Sequence, residues 1–419
     1  MGFRNDLEAI LALLPSSGRQ TLLFSATLPK GVHEVAHIAL RRDYKFVDAM
    51  DDAQAQTNAQ VIQHYMLTPM ELLLPLLFDL LQREIALHRD DFKIIVFFTT
   101  ARLTQLMAAL CTQAGIEVHE IHSRKSQAVR TKVSNEFRAK SRMVLFSSDV
   151  SARGVDYPDV TFILQVGLTD PTQYVHRLGR TARAGKSGSG LLLLYSFERK
   201  LLAQLKHLPI SLVPAFEAEY GLCNALREYT RVSLASQGPP PTDESDLAFF
   251  NTLKRRPNRM DNVVEHHRTQ LAGGETPYRL LGSMGYQAWL GFYNSNLRRL
   301  GWDAVTLVER ANYFAALVGL DTPPALLAKT IGKMGLRGTP GLVVSKEPSF
   351  KAGGGGGRGG GGRGGRNQAS RHNDGGDEKS QQPRQQRPPR QQQPQSGAST
   401  GGAGGGRGGG GGRRRRGGG

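Results

Sequence analysis

From residue 61 to about residue 205 the chain alternates between short apolar runs of strand length and amphipathic stretches of helical period. That alternation restricts the fold more than any other feature. Strand candidates lie at 61–67, 93–98, 116–119, 143–146, 161–166 and 190–195. Between them, 71–88, 102–114, 126–138 and 171–182 carry helical periodicity. Strands that are apolar along most of their length must be buried on both faces, and the helices between them supply the crossovers that parallel strands need. The expectation is an α/β domain with a parallel sheet and helices on both faces. In open sheets of this kind ligands bind beyond the carboxyl ends of the strands. The loops at 99–102, 147–156 and 167–171 all follow strands, so functional residues are expected there.

The densest chemistry is the stretch YVHRLGRTARAG at 174–185. Read as helix, it sets Arg180 and Arg183 as neighbours three apart, with His176 one turn before Arg180. One face then carries two guanidiniums and an imidazole, and Gly179 would let another backbone come close. Two permanently charged forks facing one way suit a phosphate chain better than a single carboxylate. The plainer alternative is a solvated basic face.

Upstream stand FSATLP (24–29), IIVFFTT (94–100), HSRKSQ (122–127) and SSDVSARGVDYPDV (147–160). Taken in order with HRLGRTARAG, they resemble motifs III, IV, the QxxR element, V and VI of the DEAD-box RNA helicases. The resemblance covers roughly residues 1–205. Two later segments, YQAWLGFYNSNLRRLGW and GKMGLRGTP, are similar to the extension of the fungal mitochondrial intron-splicing subgroup. The resemblance implies a RecA-like sheet and an ATP-dependent RNA helicase that locally unwinds duplexes. By the same resemblance, Arg180, Arg183 and His176 are the catalytic set, reaching ATP held by another domain. Gly154 and Asp156 contact the nucleotide, and Ser25, Thr27, Arg153 and Arg177 couple the domains. Thr99, Gln127, Arg130 and Ser148 hold the RNA backbone. ATP with Mg2+ is implied, the metal being held by an upstream domain and not by this chain. The expected partners are RNA and ATP, without membrane, in a monomer. Mitochondria are the compartment implied, with the nucleus or nucleolus as the alternative. One departure from the family is plain: neither a GxxxxGK[ST] phosphate loop nor the acidic box occurs in the 419 residues. The chain alone is therefore expected to lack ATPase competence, and a non-enzymatic RNA-binding chaperone or scaffold is the competing reading.

The remaining segments divide by composition. Residues 1–50 read as helix, strand (21–24), helix, too little to bury a core, and so as the end of a further domain. Within them HEVAH at 33–37 matches the HExxH zinc pattern, but no third ligand is evident, and an ordinary helix with Val32, Val35, Ala36 and Ala39 inward is expected. Residues 51–60 read as a polar linker and 61–205 as the RecA-like domain. Residues 206–345 form an α-helical extension with helices at 222–236, 246–253, 286–299 and 306–318. Its aromatics, Trp289, Phe292, Tyr293 and Trp302, are expected in its own core. Residues 346–419 are a Gly/Arg/Gln-rich tail expected to be disordered. From residue 350 on there are fourteen basic and three acidic residues, a net of +11 out of the chain's +18, which favours a polyanionic partner. Two cysteines, Cys111 and Cys223, are expected as small buried hydrophobes rather than a disulfide or metal site. The most apolar run, at 72–81, is interrupted by Pro75 and Asp79 and is too short to span a bilayer, and the first ten residues do not read as a targeting segment.

Overall fold

The computed structural model describes residues 4–15, 17–24, 30–47, 60–151, 155–183, 185–214, 221–235, 253, 255, 257–272 and 276–345. Ahead of the sheet lie helices α1 (Arg4–Leu13) and α2 (Lys30–Ala39). The sheet is built from β1 (Val61–Thr68), β2 (Lys93–Phe97), β3 (Val118–Ile121), β4 (Met143–Ser147), β5 (Phe162–Val166), β6 (Gly188–Tyr195) and β7 (Ile210–Leu212). Its order is β3-β4-β2-β5-β6-β1-β7, and every pair is parallel. The crossovers carry α3 (Leu73–Leu87), α4 (Ala101–Gln113), α5 (Gln127–Ala139), α6 (Pro171–Leu178) and α7 (Lys200–Leu205).

Strand periodicity sorts the core into two layers. In β2, Ile94 and Val96 enter the larger hydrophobic cluster while Ile95 and Phe97 enter the smaller one. In β4, Val144 and Phe146 go one way and Met143 and Leu145 the other, and β5 splits likewise around Ile163. This is the period-two alternation of a sheet covered on both sides. The strand order turns at β2. The chain proceeds from β2 outward to β3 and back through β4, then crosses to β5 on the other flank. The crevice of a doubly wound sheet therefore opens at the ends of β4, β2 and β5.

The extension contributes α8 (Gly221–Ala235), α9 (Arg259–Ala272), α10 (Pro277–Asn294), α11 (Ala304–Leu317) and α12 (Ala328–Met334). Short β7 pairs only with Gln63–Tyr65, which leaves the end of β1 open on that side. Thr230 of α8 fills the gap, its hydroxyl accepting from the Leu67 amide at 3.0 Å. Helix α9 packs on α3 and α4, and α10 crosses α4 where Gly285 meets Leu106. An added Cβ at Gly285 would lie 2.6 Å from the Leu106 side chain, so glycine sets how close the two helices come. The larger core cluster runs without a break from β1 into Trp289, Tyr293 and Phe314.

Several expectations need correction. Thr21–Phe24 is irregular rather than a strand, with Phe24 87% exposed, and it pairs with no strand among the described residues. The third strand is 118–121, two residues later than its expected place. The helix expected at 171–182 ends at Leu178. Helix α9 had no counterpart in the expectation, because its buried set (Met260, Val264, His267, Leu271) includes a histidine and is diluted by charge. There His267 stacks flat on Tyr278 at 3.5 Å. The helix at 246–253, the linker at 51–59 and the tail from 346 lie outside the described residues. On α2, Ala36 and Ala39 are buried while His33, Glu34 and His37 are exposed, and among the described residues no cluster of three metal-ligating side chains exists. Nor is any described helix long and apolar enough to cross a membrane.

Candidate functional site

Asp170 caps α6 by accepting from the Gln173 amide at 2.8 Å, and Pro171 occupies its first turn. The helix stops after two turns. Arg180 and Thr181 bond back to Arg177 and Leu178 at 3.2 and 3.1 Å, and Ala182 takes a left-handed conformation with φ 52°. Arg180 and Arg183 therefore do not share a helical face. The turn brings them together in another way, onto the segment after the 3-10 turn Asp149–Ser151. Arg180 donates to the Val155 carbonyl and, through Nε, to the His176 carbonyl at 3.3 Å. Arg183 donates to the Asp156 carboxylate and, through Nε, to the Gly179 carbonyl at 3.0 Å. Burial, followed by the neighbouring Arg183 charge, pushes the Arg180 guanidinium down to about 10, still cationic at neutral pH.

Gly179 ends the helix, and among the described residues the atoms nearest an added Cβ are Val175 O and His176 O of its own helix, 3.4 and 3.8 Å away. The glycines that bring the turn onto the sheet are Gly188 and Gly190. A Cβ at Gly188 would lie 2.1 Å from Thr181 Oγ1, and one at Gly190 would lie 2.4 Å from Leu178 Cδ1. Arg177 faces inward, 2% exposed. It donates to Asp149 at 2.8 Å (Nε) and 2.7 Å (Nη2), with its guanidinium over the Phe97 ring at 5.5 Å. It thus joins α6 to the loop after β4 rather than facing outward.

The loops after β2, β3 and β4 form the second part of the site. Phe98 N–H donates to Ser147 O at 3.0 Å, so Thr99 leaves β2 beside Ser148, which is 8% exposed. Thr100 caps α4 by accepting from Leu103 N–H at 3.2 Å. Past β3, buried His122 organises the next loop. Its Nδ1 accepts from the Arg124 amide at 3.2 Å, which leaves Nε2 to donate to Glu120 at 3.1 Å. Burial raises the Glu120 pKa, but hydrogen bonds from His122 and Lys125 outweigh it and hold the carboxyl below its ordinary range. Ser126 then caps α5. Gln127 is exposed in its first turn, and Arg130 is half-buried with its Nε unpartnered.

Ser25, Thr27, Arg153 and Gly154 lie outside the described residues. The sequence reading passed over Arg102 and Arg124. Arg102 opens α4, the helix after β2, and Arg124 lies in the loop after β3, close enough that Arg124 adds to burial in lowering the Arg102 pKa. Each is a basic residue just beyond a strand, the one signal that could have found them. Glu198 was also missed. It is fully buried, and its carboxylate accepts from Leu168 N–H (2.7 Å), Tyr195 N–H (2.9 Å) and Tyr293 hydroxyl (2.7 Å), linking the loop after β5 to the extension.

Residues 76–185 match the family described as helicase conserved C-terminal domain. The chain is 42% identical over 343 residues to DEAD-box ATP-dependent RNA helicase 25 of Oryza sativa subsp. japonica, covering 82% of this chain and 50% of that protein. It is 43% identical over 343 residues to DEAD-box ATP-dependent RNA helicase 31 of Arabidopsis thaliana, covering 82% of this chain and 41% of that protein. The chain spans about half the length of the curated relatives it matches. A structure of Mss116p bound to single-stranded RNA and AMP-PNP shares the fold at 20% identity and a TM-score of 0.56, covering 81% of this chain and 61% of that one. The narrower likeness to the fungal intron-splicing subgroup is not carried by these relatives, which are plant proteins. The parallel sheet and these likenesses agree: residues 76–185 are a helicase conserved C-terminal domain, similar to the corresponding part of DEAD-box ATP-dependent RNA helicases.

Proposed function

We propose that this chain serves an ATP-dependent RNA helicase as the part that presents arginines to the nucleotide and grips the RNA backbone. One observation carries the reading. Thr99, Ser148 and the α5 residues Gln127 and Arg130 follow the carboxyl ends of β2, β4 and β3, and buried Arg177 ties α6, which leads into the arginine turn beside the start of β6, to Asp149 in the loop after β4. Phosphoryl transfer builds negative charge on the transferring group and the leaving oxygen, and a positioned arginine answers it. Arg180 and Arg183 are two such cations, and a nucleotide that engages Asp156 would free Arg183 from its present partner. Arg177, buried against Asp149, positions the turn relative to the RNA-facing loop. Thr99, Gln127, Arg130 and Ser148, with Arg102 and Arg124 adding charge, fit a sugar–phosphate strand, and such contacts hold RNA without reading its sequence.

The residues present suit one side of a nucleotide: two guanidiniums and a carboxylate, with no described acidic cluster for Mg2+. Since the 419 residues hold no GxxxxGK[ST] motif, the reading assigns the phosphate loop and the metal to another domain. The same observation favours a second reading, an RNA-binding chaperone that works without hydrolysis. RNA-stimulated ATP hydrolysis should be compared for this chain alone and for the chain joined to a RecA-like domain with a phosphate loop. Hydrolysis is expected only in the joined form, and Arg180→Lys is expected to slow it about 10³-fold while RNA affinity is unchanged. Comparable hydrolysis by the chain alone would overturn the assignment. RNA binding with no hydrolysis in either form would leave the chaperone.

A further inference from the structure

Where the extension meets the strand ends there is a cleft of about 220 Å³. Thr99, Thr169 and Arg177 line it from the sheet, and Phe292, Asn296 and Arg299 from the extension. Arg177 and Arg299 are matched by Asp149 and Asp170, so the lining has no net charge. Two of the lining residues keep a polar atom buried and unpartnered, Thr169 Oγ1 and Arg177 Nη1, in residues 6% and 2% exposed. A donor left unpaired in this way is satisfied by an arriving acceptor. Phe292 is half-buried and packs edge-on against Tyr293 at 5.1 Å.

A phosphate would call for a positive lining. A neutral cleft with unpaired donors, an aromatic side chain and space for one ring system suits a nucleobase instead. Thr99 belongs both to this cleft and to the edge assigned to the RNA backbone, so a strand held there can turn one base inward. We propose that the cleft receives one unpaired base of a bound RNA strand, stacked on Phe292 with its acceptor edge toward Thr169 and Arg177. The proposal rests on the RNA reading above and adds to it a base-specific contact supplied by the extension.

The test uses the full chain at saturating concentrations of a short single-stranded RNA of mixed sequence, with 5-iodouridine placed at successive positions. After irradiation the cross-linked peptide is identified. One position is expected to cross-link to the peptide containing Phe292, and Phe292→Leu is expected to reduce that product about tenfold. Thr169→Val, which keeps the side-chain shape, is expected to weaken RNA binding by a few-fold with the melting temperature unchanged. Saturated RNA that never cross-links at Phe292 would overturn the base cleft and leave the RNA reading standing. Failure to retain RNA at all would remove both. Loss of the cross-link to free uridine monophosphate while the strand stays bound would show a free-nucleotide site and overturn the strand proposal.

Discussion

At the scale of single residues, Glu198 has consequences that its place in the sequence conceals. A carboxyl group buried to 0% exposure and facing three donors joins Leu168, Tyr195 and Tyr293. Burial pushes its pKa up to about 7 from an ordinary 4.5, with the hydrogen bonds and Arg299 pulling in the opposite direction. The folded chain thus keeps a proton that the unfolded chain has released between about pH 4.5 and pH 7. The stability linked to that proton is complete below the ordinary carboxyl range and is lost as pH rises through about 7. Urea midpoints of the wild type are expected to fall from pH 5 to pH 8 by more than those of Glu198→Gln. Equal slopes for the two chains would show that another group titrates. At pH 5 the variant is expected to be weaker by about 1–3 kcal/mol, because a glutamine cannot present acceptors to all three donors, and the gap narrows as pH rises.

Among the elements, β1, β2, β4, β5, β6 and α3 to α5 were legible from apolar runs and helical spacing, whereas β3 lies two residues later than expected and the three-residue β7 had no counterpart in the expectation. β2, β4 and β5 are buried from end to end, and their alternate residues serve opposite layers. Helix α6 was misjudged in extent for a local reason. Its capping residues Asp170 and Pro171 were readable, but the stop after Leu178 depends on Ala182 adopting φ 52° and on Thr181 bonding the Val160 carbonyl. The second of these interactions spans 21 residues. Helix α9 escaped because His267 serves as core, which no hydrophobic pattern marks. The packing of α10 on α4 depends on Gly285, so Gly285→Leu is expected to force the helices apart at Leu106 and destabilise the chain by about 2–3 kcal/mol. Hydrogen exchange would register this as faster exchange in α10 and α4 together, whereas an effect confined to α10 would argue against close packing as the reason for the glycine.

For the whole molecule, charge and packing act through different segments. The described residues build the sheet and the extension, while most of the net charge belongs to the segment from 350 on. Removing residues 353–419 is expected to weaken RNA binding at low salt and to flatten its salt dependence, by about 0.7 in slope for each phosphate that the tail neutralises. Fold and melting temperature are expected to be unchanged. A salt slope equal to that of the full chain would show that the tail binds no phosphates.

By itself the sequence determined the fold class and the order of most core elements, because alternating period and glycine–proline punctuation act over a few residues and need no knowledge of partners. Only the tertiary structure decided which side chains meet. It turned Arg180 and Arg183 from a helix face onto Val155 and Asp156, hid Arg177 against Phe97 and Asp149, and buried Glu198 beneath Tyr293. It also set Phe292 and Asn296 beside Thr99, some 190 residues away in the chain. The physical reason is that these pairs form across crossovers and between layers, where the closeness of two groups is set by the packing of everything between them.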